Sequence, residues 1–393
     1  MKGKDIMTSN YTFKALVDAY DNFLVPAVEI LLGDGKSNIF QSGGASVGDI
    51  EITLSAREPS GVTFRVSNAF DVVSHKMDAN TVNALKVGTV LEAALGYGSD
   101  LTTVFKGYIT EYRTVYEEEP VIMVTAVDFR RLMMKNKRSR YKFQEKTYGE
   151  VFQEVVENYS GLYDTLHVDA VDTKTELLQN GTDYDFIRDV LCRFAKRDFF
   201  VVGADVYFQK PEKSKDAFLE LAWGNGLVSF EKGVRYCNEK IMAYSCQSDK
   251  TGVTASAEVK TAGNTPLLVK NMHTEEWELE EGLDQTVVQN WVDQRAWEKK
   301  CKNEMAIGTV TGLPELVPGR YIKISGIDTA DAGTYLIQEV RHSFDGDRFM
   351  TRFTVGAESD SILCDKTAGS WEPEGIQGVV RAVVKENWNE EQP

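Results

Sequence analysis

The sequence predicts a mainly β protein of the α+β class, with two related β-barrel domains and a small α/β module inserted between them. Three observations support this prediction. Short runs that alternate apolar and polar residues occur in the first third of the chain and again after residue 217, as expected for half-buried strands. Two amphipathic helical segments with capping residues lie between these parts. A pattern of three glycines occurs once in each β-rich part.

The first part of the chain contains several short strands. Their predicted positions are 62–66 (VTFRV), 89–95 (TVLEAAL), 105–112 (FKGYITEY) and 121–127 (VIMVTAV). The stretch 96–100 (GYGSD) is rich in turn residues and separates two of them. Short strands with frequent turn signals favour a barrel or a sandwich. We therefore assign residues 1–140 to a first β-barrel domain.

The pattern changes near residue 147. Thr147 and Glu150 form a capping box at the start of a helix whose apolar residues recur at helical spacing. Thr182 is the predicted N-cap of a second helix. Two short β runs then flank a turn at 203–205 (GAD), which is typical of a hairpin. Residues 141–212 are therefore predicted to form a compact module of two helices and a hairpin.

Strand patterns return after the module. The predicted elements are a helix at 284–305 and strands at 318–326 (PGRYIKISG), 333–344 (GTYLIQEVRHSF) and 348–355 (RFMTRFTV). We assign residues 213–362 to a second β-barrel domain. Residues 363–393 are predicted to be a linker followed by one strand of a further domain.

Two parts of the chain resemble each other. The sequence around KVGTVLEAALG, FKGYITEY and IMVTAV resembles the sequence around VPGRYIKISG, AGTYLIQEV and FMTRFTV. The matching glycines are Gly88 with Gly319, Gly96 with Gly326, and Gly107 with Gly333. Glycine at such places allows a positive φ or a tight bend. Either any two β-hairpins share this pattern, or the chain contains two related barrels.

The composition excludes several classes of protein. The 393 residues carry a formal net charge of −16, which argues against a nucleic-acid binder held by phosphate contacts. The five cysteines are widely spaced and are predicted to be reduced thiols. The first residues lack the apolar region of a signal peptide. No apolar run long enough for a membrane span occurs.

The segment 180–208 contains carboxylates that resemble a catalytic pair. Asp183, Asp185 and Asp189 lie on the second helix, but Asp183 and Asp185 are two positions apart and do not face each other. They fit helix capping better than glycoside cleavage, which needs two opposed carboxylates. We therefore predict that this segment is scaffold and that its charges face solvent.

Other candidate sites are equally weak. The four histidines (His75, His167, His273 and His342) are isolated, so no metal site is predicted, and His342 is expected to be a packed or hydrogen-bonded strand residue. Cys192 is expected to act as a small buried apolar residue. No catalytic residue and no cofactor-binding residue is predicted. The basic run 135–142 (KNKRSRYK) favours a contact with another subunit or an adaptor protein over nucleic acid.

The order of the motifs resembles one protein family. The segments FKGYITEYRTVY, VTAVDFRRLMM, TYGEVFQEVVENYSGL, LLQNGTDYDFIRDVLCRFAKRDFFVVGADVYF and GLPELVPGRYIKISG…GTYLIQEVRHSFDGDRFMTRFTV are similar to the phage late control protein D family. This family comprises the baseplate hubs of contractile tails. The same fold forms the N-terminal hub part of type VI secretion and contractile injection system spikes. The resemblance covers roughly residues 20–360 and implies that both barrels are tail-tube-like.

The resemblance implies a structural, non-enzymatic role. Such hubs are trimers that join the six-fold tail tube to the three-fold spike. The implied partners are two further copies of the chain, the tail tube protein, a fused or separate spike, and baseplate adaptor proteins, with tape-measure protein, DNA or effector passing through the lumen. An acidic lumen is a hypothesis, since it would reduce sticking of DNA. The implied location is a virion tail or injection-machine baseplate assembled in the bacterial cytoplasm, without secretion by a signal peptide.

Two other functions stay open on the sequence. If the hub interpretation is wrong, the alternatives are a tail-associated lytic enzyme, such as a peptidoglycan hydrolase, and a receptor-binding tail protein. The C-terminal segment GIQGVVRAVVKENWNEEQP is similar to the start of the oligosaccharide/oligonucleotide-binding (OB) barrel that leads to the family's spikes. We therefore expect the natural protein to continue into such a barrel, or a separate spike to dock there. The residues predicted to attach the spike are Gly378, Val379, Val380 and Val383.

Overall fold

The protein is built mainly from β-strands, which confirms the predicted fold class. The computed structural model describes residues 7, 9–33, 35–39, 45–170, 174–210, 216–247, 250–261, 268, 272–279, 282–346 and 348–356. Among these residues, no helix is both long enough and apolar enough to cross a membrane. The described residues form four units, which we call the N-terminal unit, the module, the insert unit and the C-terminal barrel.

The N-terminal unit begins with a short helix and continues as an antiparallel sheet. Its elements are α1 (Phe13–Ala19), β1 (Pro26–Leu32), β2 (Ser37–Asn38), β3 (Ser46–Ser55), β4 (Gly61–Ser67), β5 (Phe70–Asp71), β6 (Lys76–Met77), α2 (Ala79–Ala84), β7 (Val90–Tyr97), β8 (Asp100–Val115) and β9 (Val121–Val127). The predicted turn GYGSD connects β7 to β8, and Gly98 there has a φ of +56°.

The module follows β9. Its elements are α3 (Arg130–Met133), β10 (Lys137–Thr147), α4 (Tyr148–Glu157), β11 (Leu166–Val168), β12 (Lys174–Thr182), α5 (Asp183–Asp185), a π-helical turn (Phe186–Cys192), α6 (Arg193–Ala195), β13 (Asp198–Val202) and β14 (Asp205–Gln209). The predicted capping box is confirmed, because Thr147 accepts from the Glu150 amide and Glu150 accepts from the Thr147 amide. The hairpin turn at Gly203 is also confirmed.

The C-terminal barrel is interrupted by the insert unit. The barrel strands are β15 (Leu219–Trp223), β16 (Gly226–Val234), β20 (Glu304–Thr311), β21 (Tyr321–Ser325), β22 (Gly333–Asp345) and β23 (Arg348–Val355). The insert unit, between β16 and β20, contains β17 (Asn238–Gln247), β18 (Lys250–Lys260), β19 (His273–Glu278) and α7 (Gln285–Asn303). The predicted third helix is therefore confirmed, with Asp284 as its N-cap.

Thirteen strands join into one sheet that passes through both β-rich units. Its order is β2-β1-β7-β8-β9-β4-β3-β22-β21-β15-β16-β20-β23, and an additional pairing of β22 with β23 closes the last six strands into a barrel. The N-terminal unit and the C-terminal barrel are joined edge to edge where β3 pairs with β22. One large apolar core is shared by both units and also includes Phe200, Val202 and Tyr207 of the module and Trp297 of the insert unit. The module and the insert unit each have a further core of their own.

Five strands of the N-terminal unit have counterparts in the C-terminal barrel. In chain order the two sets are β3, β4, β7, β8, β9 and β16, β20, β21, β22, β23. Their pairing order is also the same, β7-β8-β9-β4-β3 in the first set and β21-β22-β23-β20-β16 in the second. All these pairs are antiparallel. The ladder of β8 with β9 is shifted after Ile109, and the ladder of β22 with β23 is shifted after Ile337. A bulge at the same place in both copies sets the equivalence of single residues.

The glycine pattern agrees with this equivalence only in part. Gly88 and Gly319 both have a φ of +89°, and their amides donate to the equivalent carbonyls of Ile109 and Ile337. The pair of Gly107 and Gly333 is not equivalent in the strand register. Tyr335, rather than Gly333, occupies the position of Gly107, since each lies opposite the second residue of the equivalent neighbouring strand. Gly333 lies four positions before Ile337, whereas Gly107 lies two positions before Ile109, and this difference explains why sequence spacing misplaced the pair.

Candidate assembly surface

The contact between the two β-rich units is a strand pair with a buried face and a charged face. Val340 and His342 lie opposite Leu54 and Ile52, and all four side chains are buried. On the other face, Arg341 forms a salt bridge with Glu51. Cross-strand pairs of this kind stabilise sheets through both packing and charge. We call this β3–β22 contact the internal junction.

A buried arginine holds the loop beside the internal junction. Arg130 is fully buried, and its guanidinium donates to Asp128 at 2.6 and 2.9 Å. It also donates to the Ser55 carbonyl at 3.0 Å and to the Ser60 hydroxyl at 2.9 Å. Because Ala56 in the same loop donates to the Gln338 carbonyl, Arg130 fixes the loop that reaches the C-terminal barrel. Charge-assisted bonds of this kind are strong when both partners are buried.

Each copy of the five-strand unit also has an edge that no described strand covers. Residues 110–116 of the N-terminal unit extend beyond the end of β7, which pairs only as far as Tyr108. Residues 228–234 of β16 extend beyond β15, which pairs only with Gly226 and Leu227. These two segments carry exposed large apolar side chains, at Tyr112, Tyr116, Val228 and Val234. Uncovered strand edges of this length are templates for pairing with another chain.

The prediction that the charges of segment 180–208 face solvent is wrong for several of them. Asp183 is fully buried and accepts hydrogen bonds from Tyr159, Asn136 and Gln179 at 2.7 Å each. A buried carboxylate needs such donors, since desolvation without them is costly. Asp189 and Arg193 are also buried, whereas Asp185 is half exposed and bonds Thr182.

The buried charges of this helix connect the module to the insert unit. The Arg193 guanidinium lies 3.3 Å from Asp189 and 3.5 Å from Glu298 of α7. Gln294 donates to the same Glu298 oxygen at 2.8 Å. A small, mainly apolar cleft includes Asp189 and Arg193 in its lining, together with Val190, Phe194, Leu279, Leu283 and Trp291. The charges therefore position one unit against another, and they are not arranged as an opposed catalytic pair.

His342 is buried at the internal junction, which confirms that it is a packed and hydrogen-bonded residue. Its Nδ1 lies 2.9 Å from the Thr351 hydroxyl, which in turn accepts from the Leu313 amide at 3.0 Å. Burial lowers the pKa of His342 from 6.5 to about 3. The imidazole is therefore neutral at physiological pH, because charging it would place an uncompensated cation in the core.

Replacing His342 with asparagine is expected to make the protein less sensitive to mild acid. The folded pKa lies below the unfolded value, so the unfolded state binds the proton first and stability falls as the pH drops below 6.5. Through this group alone, the free energy of unfolding is expected to fall by about 1.4 kcal/mol for each pH unit below 6.5. Urea unfolding of wild type and variant at pH 7.5, 6.0 and 5.0 measures it. Equal slopes in both proteins would contradict the assignment.

The remaining candidate residues from the sequence do not form a common site among the described residues. Among the described residues no group of three or more histidine, cysteine or acidic side chains could hold a metal ion. Cys192 is buried as expected, and burial raises the pKa of its thiol to about 12. His167 stacks on Tyr207 at the surface of the module. The predicted spike-attachment residues Gly378, Val379, Val380 and Val383 lie outside the described residues.

The basic run 135–142 is partly neutralised by its own module. Arg138 lies 3.5 Å from Asp183, and Lys142 lies 2.9 Å from Glu176 across the β10–β12 pair. Tyr141 donates to Glu154. This arrangement reduces the positive charge that the run presents to a partner. A contact of the run with another subunit or an adaptor stays a prediction.

Sequence patterns did not indicate the Arg130 cluster or the two uncovered edges. Asp128 and Arg130 are two residues apart in VTAVDFRRLMM, which is the one signal that could have suggested a local ion pair. Their other partners are Ser55 and Ser60, about 70 residues earlier in the chain. The uncovered edges depend on where neighbouring strands end, which only the assembled sheet defines.

Solved structures share this arrangement of units. The 43 kDa tail protein of prophage MuSo2 from Shewanella oneidensis matches with a TM-score of 0.63 and 15% identity, covering 83% of this chain and 98% of that chain. A tail protein from Neisseria meningitidis matches with a TM-score of 0.64 and 10% identity, covering 86% and 99%. An Escherichia coli component of the type VI secretion system matches with 0.52 and 12%, covering 85% and 77%.

These likenesses define the class of fold. The chain has the fold of phage tail and type VI secretion proteins, which confirms the predicted resemblance at the level of structure. The family model described as the Alg8 N-terminal domain matches residues 52–345, and the chain belongs to this family. That description differs from the family suggested by the sequence motifs, whereas the solved structures agree with the motifs. No curated protein matches the chain in sequence.

Proposed function

We propose that this chain is a structural baseplate hub of a contractile tail or a related injection machine. Three copies would join a six-fold tail tube to a three-fold spike. The duplicated five-strand unit is the observation that supports this proposal, because three chains with two equivalent units each present six similar surfaces. The fold shared with tail and type VI secretion proteins agrees with it.

The proposed hub has no enzymatic role. Its partners are the tail tube protein, the spike, baseplate adaptors, and the tape-measure protein, DNA or effector that passes through its lumen. We place it in a virion tail or an injection-machine baseplate that assembles in the bacterial cytoplasm. We also propose that Gly378, Val379, Val380 and Val383 attach the spike, on the basis of the resemblance of their segment to the start of the OB barrel in the family's spikes.

The first test of the hub is its mass and shape. We expect light scattering behind a sizing column to give the mass of three chains, and negative-stain images to show a ring with six similar densities. A chain that stays monomeric at every concentration, and also when extended past Pro393, would contradict the proposal. Extension matters because a fused spike would stabilise the trimer by mass action.

A second test separates the hub from a lytic tail enzyme. We expect no clearing when the purified chain is applied to cell-wall zymograms, with lysozyme as the positive control. Clearing by this chain alone would overturn the non-enzymatic role. Binding of the isolated chain to host cells would instead favour a receptor-binding tail protein.

A further inference from the structure

The uncovered edge of β8 corresponds to β22 of the internal junction, and the uncovered edge of β16 corresponds to β3. The bulges in β8 and β22 make residues 111–116 equivalent to residues 339–344. The pairing of β4 with β9 and of β20 with β23 makes Val62 equivalent to Ala306. Since Ile52 lies opposite Val62 and Lys232 lies opposite Ala306, residues 50–54 of β3 are equivalent to residues 230–234 of β16.

We propose that β16 of one copy pairs antiparallel with β8 of a neighbouring copy, repeating the internal junction between chains. Carrying over the register of the internal junction places Tyr112 opposite Val234, Arg113 opposite Gly233, and Tyr116 opposite Phe230. This inference rests on the proposed hub, in which a second copy of the chain is the neighbour. A contact between two different surfaces of identical chains generates a closed ring when the rotation closes.

The apolar residues at the two edges support this pairing. Tyr112, Tyr116 and Val234 are 38%, 66% and 55% exposed. Their equivalents at the internal junction are Val340, Phe344 and Leu54, which are all buried. These three positions are apolar in both copies, whereas the positions of the buried Ile52 and His342 hold Lys232 and Thr114 at the uncovered edges. Pairing with another chain would bury the exposed set in the same way.

The charges at the two edges also match. At the internal junction Arg341 forms a salt bridge with Glu51. The equivalent positions hold the same residue types, Arg113 on β8 and Glu231 on β16. Both are exposed, and the described contact of Arg113 is an exposed pair with Glu111 at 3.3 Å. The pairing would thus form a second Arg–Glu bridge between chains, and complementary charges of this kind fix register and partner choice.

Charge reversal tests the bridge. We expect Arg113→Glu and Glu231→Arg each to weaken self-association about tenfold, because like charges then face each other across the edge. The double variant is expected to recover most of the loss, which a change in folding would not do. Lys323→Glu is the matched control, since Lys323 forms an exposed pair with Glu220 away from both edges and is expected to leave association unchanged. Sedimentation over a concentration series measures association.

Disulfide trapping tests the register. In a background with Cys246, Cys301 and Cys364 replaced by serine, Arg113→Cys with Gly233→Cys is expected to give covalent dimers and trimers on a non-reducing gel. Thr53→Cys with Arg341→Cys is the positive control, because these residues are Cα partners within one chain and should cross-link without a change in mass. Dimers formed by Arg113→Cys alone would show β8 pairing with itself and would overturn the proposal.

The outcomes separate the edge pairing from the hub. A wild-type trimer whose assembly is unaffected by the charge reversals, and whose paired cysteines do not cross-link, would overturn the edge pairing and leave the hub standing. A chain that neither associates nor cross-links at any concentration would overturn both. Cross-linked trimers together with rescue by the double reversal would support both.

Discussion

Replacing Arg130 with alanine is expected to destabilise the protein by about 3–5 kcal/mol, the range for breaking a buried ion pair. The variant leaves the Asp128 carboxylate buried without its guanidinium partner. It also removes the donors to the Ser55 carbonyl and the Ser60 hydroxyl. Because this loop bonds β22, the loss is also expected to weaken the contact between the two β-rich units. Urea unfolding monitored by tryptophan fluorescence measures the change in the free energy of unfolding.

An exposed ion pair provides the control for this variant. Lys260 and Glu258 lie 2.6 Å apart with about half of each side chain exposed. Lys260→Ala is expected to lower the unfolding midpoint far less than Arg130→Ala, because solvent screens such pairs. If both variants lowered the unfolding midpoint equally, the buried cluster would have no special role in joining the two β-rich units.

Replacing Asp183 with alanine is expected to have the second large effect, a loss of roughly 3 kcal/mol in the free energy of unfolding. The substitution removes the acceptor for the side chains of Tyr159, Asn136 and Gln179, and buried donors without an acceptor are costly. Burial and the hydrogen bond to Asp183 raise the pKa of Tyr159, so this hydroxyl remains a donor over the working pH range.

Asp185 provides the matched control on the same helical turn. It is half exposed, and its carboxylate accepts a hydrogen bond from the Thr182 hydroxyl. Asp185→Ala should therefore cost no more than about 1 kcal/mol, the usual value of a capping interaction. If Asp183→Ala and Asp185→Ala cost the same, both carboxylates would act as solvated capping residues, as the sequence pattern alone predicts.

Features set by neighbouring residues could be predicted from the sequence. The capping box at Thr147, the N-cap at Thr182 and the hairpin turn at Gly203 depend on hydrogen bonds and φ values within a few residues. The strands predicted at 121–127 and 348–355 coincide with β9 and β23, because apolar and polar residues alternate along these segments. The resemblance between the two β-rich parts was also visible, and Gly88 and Gly319 do occupy equivalent positions.

Predictions from the sequence were wrong for features that depend on residues far away in the chain. Helical spacing and charge suggested that Asp183 faces solvent, but Asn136 and Tyr159 supply donors that make its burial possible. The spacing of Gly107 and Gly333 suggested equivalence, but Gly333 lies four positions before Ile337, whereas Gly107 lies two positions before Ile109. Neither error could be corrected locally, because hydrogen-bond donors and strand partners come from other parts of the chain.

The sequence by itself determined which segments form strands, helices and turns, and that two of its parts are related. The tertiary structure decided which strands pair, and it thereby buried Arg130 and Asp183 and left the edges at residues 110–116 and 228–234 uncovered. The physical reason is the range of the interactions. Backbone dihedrals and caps are set within one turn of chain, whereas desolvation and edge pairing depend on residues that only folding brings together.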